Sequence, residues 1–125
     1  MPIDVKIVPA REFIRTNANG EFDLEGTKEL FLSVFAKMKD ANVSEVIMDV
    51  REASSKLTAF EISELFSVLD QASWSAWKIA IVNRPKDDFD RAKYFELCAH
   101  NRGYQVGAFQ DFEEAVTWLY PPHEP

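Results

Sequence analysis

One cysteine, two histidines and four glycines in 125 residues set the first limits. A single thiol, Cys98, can form neither an internal disulfide nor a cysteine-based zinc site, which suits a reducing cytosol. So few glycines leave no Gly-rich loop to cradle a phosphate, and nucleotide hydrolysis drops out. His100 lies near the end of an expected helix and His123 in a Pro-flanked stretch. Neither has a second His or Cys at ligand spacing, so no metal and no cofactor are expected. Long apolar runs are missing as well. The longest is four residues, 79–82, where a spanning helix needs about 20 and a signal peptide about 7 to 15. The reading is a soluble cytoplasmic protein with no membrane insertion and no secretion signal. Positive charge is scarce too: 14 Lys and Arg against 21 Asp and Glu give a net charge of −7. Such a balance repels nucleic acid and anionic headgroups, so neither is an expected partner.

What the chain does have is aromatic mass, with 10 Phe, 3 Trp and 3 Tyr. That is enough to build one core, and the length allows one domain, read as residues 1–120 with a short flexible tail over 121–125. Alternation in the first 17 residues predicts a hairpin, and Asn17-Ala18-Asn19-Gly20 reads as a turn after it. Leu30, Phe31, Val34, Phe35 and Met38 repeat at helical spacing behind a capping Asp23 and predict a long helix ending near Asn42. Residues 46–50 are apolar on both faces and too short for a helix, as a strand covered on both sides requires.

Thr58-Ala59-Phe60-Glu61 carries the spacing of a capping box, in which hydroxyl and carboxylate satisfy two orphan backbone N–H groups reciprocally. The helix it opens buries Ile62, Leu65, Phe66 and Leu69. Phe31, Phe35, Phe60 and Phe66 are read together as core, with aromatic-lined space between helix and sheet that could hold a lipid as the alternative. Residues 77–82 form the next strand, and Asp87 or Asp88 is expected to cap a third helix closed by Gly103. A strand over 104–109 and a short helix behind Asp111 complete the order β, β, α, β, α, β, α, β, α. Strands alternating with helices imply an α/β fold with a mixed, mostly parallel sheet, an N-terminal hairpin and about four helices. Ligand sites of such sheets gather at the carboxyl ends of the strands. Asp49, Arg51, Ser54, Ser55, Thr58, Asn83, Arg84 and Lys86 fall there.

Three stretches carry a family resemblance: Gly20-Glu21-Phe22-Asp23, Val46-Ile47-Met48-Asp49-Val50, and the loop into Thr58. Together with the closing segment Phe109-Gln110-Asp111-Phe112-Glu113-Glu114-Ala115-Val116-Thr117-Trp118-Leu119 and the order of elements, they resemble STAS domains. The nearest likeness is the STAS-like branch similar to the sporulation anti-sigma-factor antagonist. The resemblance implies a regulatory or binding module without enzymatic chemistry, acting through protein partners in a bacterial signalling pathway. Regulatory members carry Asp-Ser-Ser-Gly-Leu with a phosphorylated serine at the start of the second helix, where this chain reads Lys56-Leu57-Thr58-Ala59-Phe60. The candidate phosphoacceptors are therefore Thr58, Ser54 and Ser55, each with an ordinary alternative: Thr58 as an N-cap, the serines as loop formers.

The remaining candidates bind rather than react. Arg51, Arg84 and Lys86 could together receive an anion beside Asp49 and Asn83, or could be solvated partners of Asp and Glu. Asp49 could equally answer Arg51. Trp74 and Trp77 either cover the core or anchor a partner. No nucleophile with a base, no acid–base pair and no metal cluster is visible, so no catalytic residue is named. Two functions stay open: a protein-binding regulatory module, or a carrier or sensor of a small apolar or anionic ligand. A homodimer is as compatible with the sequence as a monomer.

Overall fold

The computed structural model describes residues 3–8, 13–85 and 87–120. Lys86, His123 and the segment 121–125 lie outside the described residues. Five strands form one sheet in the order β1-β2-β3-β4-β5. β1 (Ile3–Val8) runs antiparallel to β2 (Phe13–Phe22), and β3 (Glu45–Ser55), β4 (Lys78–Val82) and β5 (Gln105–Phe109) continue parallel to β2. The helices are α1 (Leu24–Ala41), α2 (Ala59–Leu69), α3 (Asp87–Asn101) and α4 (Phe112–Leu119). Each parallel crossover steps to the next strand in the same direction. Right-handed connections then lay α1, α2 and α3 on one face and leave the other for α4.

Strand alternation sorts the core accordingly. Val46, Met48, Ile79 and Ile81 face the three helices, and Ile47, Ala80 and Val82 pack against Ala115 and Leu119 of α4. The two-sided apolar runs of β3 and β4 therefore stand in the middle of the sheet, as their composition requires. In the larger layer six aromatic rings close on themselves, Phe31 to Phe95, Phe66, Tyr104, Trp74, Phe35 and back, with neighbouring centroids between 3.7 and 6.3 Å. Offset and edge contacts of this kind add to the burial of the rings themselves.

Three local expectations are corrected. Asn17-Ala18-Asn19-Gly20 is no turn: it lies within β2, whose backbone groups the parallel ladder to β3 satisfies despite the polar side chains. Asp87 and Asp88 both lie inside α3, so neither stands before it as the cap. Phe60 is outside the core, 70 % exposed, because it falls on the side of α2 away from Ile62, Leu65 and Phe66. The caps at Asp23, Thr58 and Asp111 form as the sequence predicts, and Gly103 takes the positive φ of 83° that follows a helix end.

Candidate functional site

A β-bulge shapes the carboxyl edge of the sheet. Register runs from Asn17 opposite Asp49 to Asn19 opposite Glu52, so β3 holds one extra residue there. The inserted residue reverses the alternation: Val46, Met48 and Val50 face the three helices, and beyond the bulge it is Ala53 that does so. A small side chain thus comes to lie under the first turns of α1, α2 and α3. From α3 another small residue, Ala92, lines the same space. Between them opens a pocket of about 120 Å³, walled by Phe31, Ile62, Leu65 and Phe95.

The polar groups of this pocket stand at its border. Asn83, only 5 % exposed, donates from Nδ2 to the Ile81 carbonyl at 3.0 Å. Its second N–H and its Oδ1 have no hydrogen-bond partner among the described residues. Asp88 receives Arg91 on Oδ1 at 3.3 Å and Arg84 on Oδ2 at 3.1 Å. Arg84 also donates to the Ala53 carbonyl at 3.2 Å, tying α3 to the end of β3. One carboxylate between two guanidinium groups leaves one positive charge in excess. Ser54 and Ser55 border the same pocket, half-buried at the end of β3 rather than in a loop.

Beside it lies the amino end of α2. Thr58 accepts from the Glu61 backbone N–H at 3.1 Å and its own N–H donates to Glu61 Oε1 at 3.0 Å, the complete capping box. Thr58, Ala59 and Phe60 are all exposed. A depression of about 450 Å³ next to this turn is lined by Glu21, Asp23 and Glu61 against the single cation Lys56. The ground around the helix start is therefore negative.

The expected rim of cations does not assemble as one surface. Asp49 and Arg51 share the β3 face of Ile47, toward α4, where two charge-assisted bonds join them at 2.8 and 3.0 Å. The bond to Asp49 raises the Arg51 pKa above its ordinary value, and burial opposes the rise. Arg84 is engaged on the opposite, helical side. Trp74 is no surface anchor: the indole is fully buried and donates to the Leu69 carbonyl at 2.9 Å. Trp77 is half-buried, edge-on to Phe35 at 5.5 Å. Asp88 and Arg91 were missed from the sequence, although Arg84, Asp88 and Arg91 stand at i, i+4 and i+7, the spacing at which charges meet along a helix.

No family model and no curated protein matches the chain. Solved structures do. The anti-sigma factor antagonist SpoIIAA in its unphosphorylated form aligns with a TM-score of 0.57 and 14 % identity over 97 % of this chain and 100 % of that one. A DUF3478-family protein with a SpoIIAA-like fold from Shewanella loihica aligns at 0.59 and 15 % identity, over 94 % of this chain and 93 % of that one. The Bacillus cell fate determinant SpoIIAA in its phosphorylated form aligns at 0.50 and 14 % identity, over 94 % and 99 %. Over nearly its whole length, this chain has the SpoIIAA-like α/β fold.

Proposed function

We propose that this protein is a non-enzymatic regulatory module that binds a protein partner through the first turn of α2. The observation that carries this reading is Phe60, a large ring 70 % exposed on a helix whose other aromatic, Phe66, is buried. A rigid exposed aromatic beside a capped helix end is the kind of group that becomes a binding hot spot. Glu21, Asp23 and Glu61 nearby give the partner its chemistry: an apolar recess for Phe60 flanked by basic residues. The fold is that of proteins named for antagonising an anti-sigma factor, in phosphorylated and unphosphorylated forms. A role in bacterial signalling follows by analogy with them.

Phosphorylation is assigned to Thr58 ahead of Ser54 and Ser55. Thr58 is exposed at a helix start whose dipole favours an anion, whereas the serines are half-buried in a strand paired with Glu21 and Phe22. A phosphate on Thr58 would also meet the Glu61 carboxylate and open the capping box, so modification would alter the same turn that binds. The test is calorimetry with the partner captured from the native cells. Phe60→Ser should weaken binding by about thirtyfold or more, the scale of a hot-spot residue. Added salt should weaken it further. Unchanged affinity in that variant refutes this surface.

A further inference from the structure

We propose that the pocket between α1, α2, α3 and the sheet is a binding site for a small monocarboxylic acid with an apolar body of about five or six carbons. This goes beyond partner binding and uses other residues. A cavity of about 150 Å³ in a protein core holds one benzene ring, and the 120 Å³ here is of that order. Its walls are Phe31, Ile62, Leu65 and Phe95, with Ala53 and Ala92 leaving the space that larger residues would fill. Close packing is the rule in protein interiors, so an open gap lined by two small residues is a departure that a ligand would repair.

The border fixes the head group. The Asp88 carboxylate is already neutralised by Arg84 and Arg91, each on a different oxygen, and one positive charge is left over in a chain of net charge −7. Asn83 lines the pocket, almost fully buried, with an N–H that no described residue accepts. A buried donor without a partner costs free energy that a ligand acceptor recovers. Ser54 and Ser55 also line this border. Donors and a surplus guanidinium charge select an acceptor that is negative and small, and the apolar walls require its other end to be hydrocarbon. An alkylammonium of the same length could donate to Asn83 Oδ1, but it would set its charge against Arg91, so the guanidinium decides between the two head groups.

The experiment is a nuclear magnetic resonance titration of the whole chain with butanoate, hexanoate and octanoate, with hexylammonium and hexanol as controls. Hexanoate should give saturable shifts centred on Ala53, Asn83 and Ala92. Affinity should rise about fourfold for each methylene up to the hexanoate length and then fall, because further carbons no longer fit behind a head group held at the border. Arg91→Gln, a half-exposed site, should weaken hexanoate about tenfold and leave hexanol unchanged. Ala92→Leu should abolish binding of both. Should that variant fail to fold, the ligand series and Arg91→Gln decide alone. Absence of saturable shifts, shifts centred elsewhere, or hexylammonium binding as tightly as hexanoate would overturn the site.

Discussion

Phe60 and Phe66, six residues apart on α2, end on different sides of it: Phe66 is fully buried against Phe95 at 4.8 Å, and Phe60 is 70 % exposed. The helix therefore sends one aromatic into the ring of six and holds the other in solvent. Truncation separates the two roles. Phe66→Ala should cost about 3 to 5 kcal/mol in urea melts, because it leaves a cavity in the closed aromatic layer. Phe60→Ala should change stability by less than about 0.5 kcal/mol. Equal losses would mean that α2 is rotated from the orientation described.

The second prediction concerns the pair on the α4 side. Asp49 is 8 % exposed and receives both Nε and Nη2 of Arg51. Arg51→Ala removes two charge-assisted bonds from a buried carboxylate and should lower stability by about 1 to 3 kcal/mol. Arg51→Lys should recover only part of the loss, since an ammonium cannot reproduce the two parallel bonds. Chemical denaturation of the three proteins at neutral pH reads this directly, and a neutral Arg51→Ala would show that the pair is incidental.

Tyr104 supplies a pH dependence. Burial, reinforced by its 2.6 Å hydrogen bond to Asp70, pushes the phenol pKa up from 10.0 to about 12, with Arg102 opposing. The folded protein thus holds this proton more tightly than the unfolded chain. Its contribution is complete below pH 10 and is lost as the pH rises through about 12. Tyr104→Phe, which has no such proton, should be less stable than the parent at pH 8, and the gap should narrow in melts at successively higher pH. A gap that stays constant to pH 11.5 contradicts the assignment.

Sequence patterns that report a single element were legible; those that depend on two were not. The capping box at Thr58, the apolar runs of β3 and β4 and the stripe of Ile62, Leu65, Phe66 and Leu69 each follow from local periodicity and chemistry. The bulge in β3 has no such local signature, because it exists only as register against β2. It brings Ala53 to the helical side, while Arg51 stays with Ile47 and Asp49 on the α4 side by plain alternation, so the group of cations expected at one rim is divided between two faces. The pocket was hidden because it depends on more than one element: Ala53 and Ala92, 39 positions apart in the chain, both line it. Phe60 was read as core because hydrophobicity alone does not say which side of a helix start meets the sheet.

The central claim, that the first turn of α2 is a partner-binding surface, is tested most directly by site-specific photocrosslinking in the native cells. A photoreactive phenylalanine analogue replaces Phe60, and a second protein carries it at Thr117, exposed on α4 across the sheet. Position 60 should yield one discrete adduct with another protein on intact-mass and gel measurement, weakened by Thr58 phosphorylation, while position 117 yields none. Equal crosslinking from both positions, or no adduct from position 60, contradicts the account.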